Sequence, residues 1–208
     1  KLARARPSAM TSSDSIELSK AALREEMLRR CASVTSEEAS EAGSAMADIL
    51  SASPDWLEAR RVGLFAGLPG EPDTRPLFSM LRGMGKEVFL PRCLADGGLE
   101  MAGVADWSAL RPGRFGIPEP PDGAPCQPLS MLDLILVPGV AFDPFGGRLG
   151  RGGGFYDRAV AAGDGGGRRL GVGFAFQIVE RVPVREHDRG VAGLLTERSL
   201  APVVESDP

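Results

Sequence analysis

The chain has 208 residues, 43% hydrophobic and 25% charged, with a formal net charge of −4 and a sequence pI of about 5.2. That length suits one domain with a sizeable core, and the acidic balance gives no global field toward nucleic acid or an anionic membrane, so an anionic ligand must be met by local positive groups. Three scattered cysteines, Cys31, Cys93 and Cys126, and one histidine, His187, argue against a disulfide framework and a multi-histidine metal site, and fit a reducing cytoplasm. The longest apolar run, Leu134 to Phe142, contains Pro138 and Gly139 and falls far short of the roughly 20 residues of a membrane span.

Residues 1–15 are basic and rich in small residues but lack the apolar stretch of a secretory signal. They read as a leftover leader or a disordered extension, with a weaker organellar-transit reading beside it. Ile16 to Cys31 has apolar residues at helical spacing. Thr35 and Glu38 form a capping-box pattern that opens a second helix to about Ala52, which Pro54 and Asp55 end. Val62 to Ala66 reads as a strand, and Asp73 or Thr74 as the cap of a third helix running to Met84. Glu87 to Pro91 and Leu99 to Val104 read as strands, and residues 111–130, rich in proline and glycine, as a long ordered loop.

Leu134 to Val137 is a continuous apolar run, expected as a buried strand. Beyond it the pattern predicts a helix over Tyr156–Ala162, a flexible turn over 161–167 and a strand over Leu170–Phe176. A helical turn at Phe176–Glu180 and a last strand at Gly193–Thr196 complete it. Short strands alternating with helices predict an α/β fold: a three-layer, open, largely parallel sheet with helices on both faces. Residues 16–200 form the expected single catalytic domain, with 201–208 a tail. In such sheets ligands sit beyond the carboxyl ends of the strands, which points to 67–74, the loop after Pro91, and 139–157.

The stretch from Asp133 to Arg158 carries the chemistry. A buried strand leads into Gly146, Gly147, Arg148, Gly150, Arg151, Gly152, Gly153 and Gly154, and then Phe155-Tyr156-Asp157 opens a helix. Glycines let backbone N–H groups approach one anion closely. A helix N-terminus adds further N–H groups, and two arginines add forked donors. The segment matches neither GxxxxGK[ST] nor GxGxxG. It reads as a phosphate site without naming the nucleotide.

The string VPGVAFDPFGGRLGRGGGFYDR resembles the signature of the 5-formyltetrahydrofolate cyclo-ligase family. Lys20 with Arg24, Glu71, Leu90-Pro91-Arg92, Phe115-Gly-Ile-Pro-Glu-Pro120 and Val182 to Asp188 follow in the family's order, so the resemblance spans roughly 16–198. It implies a Rossmann-like fold of the ribose-phosphate isomerase and CoA-transferase kind. It also implies a cytoplasmic enzyme, expected to be a monomer without nucleic-acid or membrane partners. The implied reaction converts 5-formyltetrahydrofolate and MgATP to 5,10-methenyltetrahydrofolate, ADP and phosphate. The formyl oxygen takes the γ-phosphoryl group, N10 attacks the activated carbon, and phosphate leaves.

By the same resemblance Lys20, Arg24, Arg148, Leu149, Gly150, Arg151, Gly152, Gly153, Gly154, Phe155 and Tyr156 hold ATP. Ala66, Glu71, Arg151, Gly152, Gly153, Gly154 and Phe155 meet the folate. Arg148, Arg151 and Tyr156 act in catalysis, and Asp157 and Asp188 hold Mg2+. Arg92 and Glu119 read either as site residues or as structural ion-pair groups, and His187 as exposed or supporting. Arg148 and Asp157 are both expected on a loop outside the core. The chain departs from many members at Gly153, where they carry lysine, at Phe155, where tyrosine is frequent, and at Ala192, where they carry an acid. A catalytically silent folate or nucleotide carrier is the alternative, and a different phosphotransferase or isomerase on a related scaffold is a third reading.

Overall fold

The structure, a computed structural model, describes residues 12–53, 58–94, 98–113, 116–162, 166–185 and 188–204. The expectations for Pro54, Asp55, Phe115, His187, the middle of the 161–167 turn, and residues 1–11 and 205–208 lie outside the described residues. Helices α1 (Ser12–Cys31), α2 (Ser36–Ser51), α3 (Arg75–Gly83) and α4 (Phe155–Ala162) accompany strands β1 (Arg61–Gly63), β2 (Glu87–Cys93), β3 (Leu99–Val104), β4 (Arg111–Pro112), β5 (Pro118–Glu119) and β6 (Cys126–Gln127). Strands β7 (Leu134–Pro138), β8 (Ala141–Phe142), β9 (Arg148–Leu149), β10 (Arg168–Val172), β11 (Gly193–Leu195) and β12 (Leu200–Pro202) follow.

Among the described residues the main sheet runs β12-β11-β10-β7-β1-β2-β3-β6. Its centre, from β11 to β2, is parallel, and β12, β3 and β6 are antiparallel edges. Side-chain alternation explains why it is covered on both faces. Leu134 and Leu136 of β7, with Val88 and Leu90 of β2, pack on Met46 and Leu50 of α2 and Leu77 and Leu81 of α3. The intervening Ile135, Val137 and Phe89 face the other way, where Tyr156, Ala159 and Val160 of α4 join them. A strand buried on both faces must be apolar throughout, as the run at Leu134 is.

The chain leaves β1 toward β2 on one side, and β7 later returns to β1's other side. Right-handed crossovers running in opposite directions put their helices on opposite faces, so α3 and α4 occupy different layers. The gap between the carboxyl ends of β1 and β7 is therefore a topological switch point, where open α/β sheets bind ligands.

Several elements differ from expectation. Helix α1 begins at Ser12 rather than Ile16, and β12 extends into the expected tail. The capping box stands: Thr35 Oγ1 accepts from Glu38 N at 3.2 Å and Glu38 Oε2 from Thr35 N at 2.7 Å. Strand β1 ends at Gly63 because the chain then turns away into the segment that carries Glu71, with Leu64 N still on Phe89 O at 2.8 Å. At α3 it is Asp73 Oδ1 that accepts from Arg75 N, whereas Thr74 donates its hydroxyl to Phe65 O at 2.5 Å, fastening the helix to the end of β1. Strand β10 ends at Val172, and Gln177 Oε1 accepts from Phe174 N at 2.8 Å to close a 3-10 turn at Ala175–Gln177. The 111–130 loop contains three two-residue strands.

Phe142 is fully buried in a socket of glycines: a Cβ on Gly139 or Gly171 would lie 2.5 Å from its ring, and one on Gly173 2.9 Å. Gly83, by contrast, ends α3 with nothing within 4 Å of a built Cβ. Gly171→Ala should lower unfolding free energy by about 1–3 kcal/mol through overpacking. Gly83→Ala should raise it by about 0.4–1 kcal/mol. Urea unfolding of the two variants reads both signs.

Candidate active site

A cavity of about 460 Å³ opens at the carboxyl ends of β1, β2 and β7. Phe65 and Ala66 reach it from β1, Pro91 and Cys93 from β2, and Pro138 and Gly139 from β7. Helix α1 crosses this end of the sheet, with Met27 packed against Val140, Ala141, Leu149 and Val182. That contact presents Lys20 and Arg24 to the cavity. The segment between β7 and α4 folds back as the β8–β9 hairpin, a pairing too short to announce itself by periodicity.

Two buried polar side chains hold that segment. Asp143, 1% exposed, accepts from Phe145 N and Gly147 N through Oδ1, each at 2.9 Å, and from Val182 N through Oδ2 at 2.8 Å. Gln177, also 1% exposed, donates to Gly139 O and Val140 O at 2.9 Å each. The glycine run then passes under the arginines. Gly152 has φ +100° and Gly154 φ +64°, which only glycine adopts at low cost. A Cβ on Gly154 would also lie 2.8 Å from the Arg158 guanidinium.

The charged groups are arranged as pairs. Lys20, 6% exposed, bonds Asp188 Oδ2, which also accepts from Arg185 N at 2.6 Å. Arg148 donates to Asp157 Oδ1 at 2.7 Å and to Pro138 O at 3.2 Å. Asp157 Oδ1 takes Arg189 N at 3.3 Å as well. Arg151 Nε meets Glu71 Oε1 at 2.8 Å, while Glu71 Oε2 accepts from Leu68 N at 3.0 Å. Arg24 Nε donates to Gly150 O at 2.9 Å, fixing α1 to the glycine loop. This brings Lys20, Arg24, Glu71, Arg148, Arg151, Asp157 and Asp188 to one cavity from segments far apart in sequence.

A sequence profile of the 5-formyltetrahydrofolate cyclo-ligase family matches residues 16–197. The chain belongs to that family. It is 36% identical over 173 residues to the 5-formyltetrahydrofolate cyclo-ligase of Escherichia coli K12, covering 81% of this chain and 94% of that one. The Mus musculus cyclo-ligase is 27% identical over 204 residues, 89% of this chain and 97% of that one. The NMR structure of Aquifex aeolicus 5,10-methenyltetrahydrofolate synthetase superposes with a TM-score of 0.78 at 31% identity, covering 91% of this chain and 95% of that one. The Mycoplasma pneumoniae synthetase, at 17% identity and TM-score 0.68, supports the fold. The family's enzymes are ligases, and ATP-dependent cyclisation of 5-formyltetrahydrofolate is their reaction.

Arg148 is not on an exposed loop as expected. It lies in β9 with its residue 8% exposed, because the hairpin folds it inward against Asp157 at the start of α4. Arg92 turns away from the cavity onto Glu100, Pro121 O and Cys126 Sγ at 2.7, 3.0 and 3.2 Å, whereas Glu119 lines it. Ala192 is exposed and lies outside the lining, so that departure from other cyclo-ligases does not touch the cavity. Arg185 is a lining residue to which the sequence attached no role. It reaches Ser13 O at 3.0 Å and Glu17 at 3.0 Å, contacts across the fold that no local spacing reveals.

The Tyr156 ring sits 5.9 Å from the Arg148 guanidinium, and its buried hydroxyl has no hydrogen-bond partner among the described residues. Burial pushes the phenol well above the ordinary tyrosine range, outweighing the lowering by Arg148. Such a phenol donates a hydrogen bond but does not serve as a base near neutrality. Tyr156 is the chain's one tyrosine, so tyrosinate absorbance in the near ultraviolet reads it alone. Above about pH 10 the unfolded chain loses this proton while the native one keeps it, so stability falls as pH rises. A pH titration should show no native tyrosinate past that point, then its appearance together with loss of circular dichroism.

Proposed function

We propose that this cavity carries out the family's cyclisation with the residues described above. The observation that supports it best is the set of preformed pairs, Lys20–Asp188 and Arg148–Asp157, beside a glycine loop at the switch point. A metal–nucleotide ligand carries both signs. Its phosphate oxygens suit Lys20, Arg24, Arg148 and the N–H groups of Gly150 to Gly154. Asp157 and Asp188 are the hard oxygen donors for magnesium, which when bound neutralises charge on the phosphates. Among the described residues no group of three or more His, Cys, Asp or Glu side chains is placed to cage a metal. Magnesium is commonly held by one or two carboxylates plus phosphates and water.

In this reading Glu71, fixed by Leu68 N and Arg151, anchors the folate near Ala66 and Phe155. The protein forms no covalent bond. It orients the formyl oxygen toward the γ-phosphorus and spreads the phosphoryl charge over Arg148 and Arg151. N10 then closes the ring and phosphate leaves. The reading assigns a monomer acting in the cytoplasm on small molecules, and among the described residues no helix is long and apolar enough to cross a membrane.

Mixing the protein with (6S)-5-formyltetrahydrofolate and MgATP should produce methenyltetrahydrofolate absorbance that fails when ATP or magnesium is omitted. Asp157→Asn should cut turnover by roughly 10²–10³-fold, as should Arg148→Ala. Because Arg148 is buried and paired, its variant should also lose stability, so Asp157→Asn is the cleaner test. Glu71→Ala should mainly raise the folate KM. Folate and ATP binding by calorimetry without turnover would identify a silent carrier instead.

A further inference from the structure

The cavity's acids are not equivalent. Glu71, Asp157, Asp188 and Glu17 each face a cation: Arg151, Arg148, Lys20 and Arg185 respectively. Glu119 does not. It is 8% exposed, lines the cavity from β5, and among the described residues no cation pairs with it. Its one described hydrogen bond, from Cys93 N to Oε1, is 3.5 Å long, the limit of such a contact. Arg92, the neighbouring cation on β2, is committed to Glu100.

A buried carboxylate has about four acceptor positions and is costly to leave unmatched. The fold nonetheless makes room for it. Gly113, opposite in the β4–β5 turn, lacks the Cβ that would stand 2.3 Å from the Glu119 carboxyl carbon. The lining on this side includes Pro91, Cys93, Leu99 and Ile117, which offer apolar contact and a thiol but no cation. Among the described residues no side chain completes Glu119, and a ligand group with N–H donors, ideally two side by side, would match its two carboxylate oxygens.

We infer that Glu119 reads the aminopyrimidine edge of the folate's pteridine, accepting one hydrogen bond from N3–H and one from the 2-amino group. This inference rests on the folate reading above. The 2-amino-4-oxopyrimidine ring presents those two donors on one edge, as a guanidinium does. Adenine's Watson–Crick edge presents one amino group next to an acceptor nitrogen, which a carboxylate would repel. Position agrees. Arg148 bonds the carbonyl at the end of β7, and Glu119 touches the end of β2, two strands away. Two strand spacings are about 10 Å. That separation lets the pteridine's reacting N5 face the arginines while its far edge meets Glu119. Glu71, whose two oxygens hold Leu68 N and Arg151, anchors the formyl-bearing side of the folate through Arg151.

The test pairs a variant with an analogue. Calorimetry and steady-state kinetics would compare wild type and Glu119→Gln, which keeps the side-chain volume. The ligands would be (6S)-5-formyltetrahydrofolate and its 2-desamino counterpart, in which hydrogen replaces the amino group. Wild type should prefer the parent folate by about 10- to 100-fold, and Glu119→Gln should bind the parent about 10-fold or more weakly with the ATP KM unchanged. The variant should also lose most of the preference between the two folates. A preference that survives in the variant, or a wild type that does not discriminate, overturns the assignment while leaving the cyclo-ligase reading intact. A wild type that binds neither folate sinks the folate reading itself. Should Glu119→Gln fail to fold, Glu119→Asp keeps the charge but withdraws it by one methylene, and should show a reduced preference. Full preference there would count against the assignment.

Discussion

The segment between β7 and α4 has two opposing requirements: its backbone must stay open to a ligand, yet it cannot wander. Asp143 and Gln177 reconcile them from below. Each is almost wholly buried, and together they engage four backbone N–H groups and two carbonyls around Phe142. A carboxylate that accepts several backbone donors is strongly held, and removing it would orphan all of them in the interior. The glycines above can then adopt positive φ without making the loop floppy, because the hairpin beneath is fixed to Val179 through Phe142 O and to Val182 through Asp143. Phe142, filling the space that three glycines leave, completes this floor.

Fixing the floor also fixes the charges. Arg148 enters the cavity only because β9 pairs with β8, and Lys20 only because Met27 packs α1 against that hairpin. In a protein of net charge −4 these local cations are what an anionic ligand meets. Their pairing with Asp188 and Asp157 avoids the cost of isolated buried charges. It also means that exchange of partners, rather than fresh desolvation, accompanies arrival of a ligand carrying both signs.

What was legible in the sequence follows the physics of each signal. The run Leu134 to Val137 announced a strand buried on both faces, and Thr35 with Glu38 announced a helix start, since both are local patterns with local causes. The β8–β9 hairpin and β12 were not legible: pairs of two or three residues have no periodicity, and their partners are set by tertiary contacts. The glycine-arginine run pointed to phosphate by chemistry alone, but Lys20, Glu71 and Asp188 were singled out only through family resemblance. Their spacing in sequence says nothing of the cavity they share. Arg92 and Glu119 show the limit most plainly. Both read either as site residues or as structural ion-pair groups, and only the strand order turned one toward Glu100 and the other into the cavity.

The cavity's composition, read along the sheet edge, changes from cationic at β7 to apolar at β2 and β3. That gradient suits a reaction whose difficulty is alignment rather than bond-making by the protein. In the proposed reading, a flat heterocycle wedged among Leu68, Pro91, Leu99 and Ile117 would lose its freedom to rotate before the phosphoryl group moves. An acid at its far edge would then set which way round it lies. Reversing the ring would carry its formyl group away from the arginines, so orientation and charge stabilisation are one requirement met at two ends. Oriented reactants of this kind can gain the equivalent of about 7–11 kcal/mol of barrier in entropy already lost on binding. A scaffold of buried tethers supplies that orientation better than a mobile loop, which would give much of it back as its own disorder.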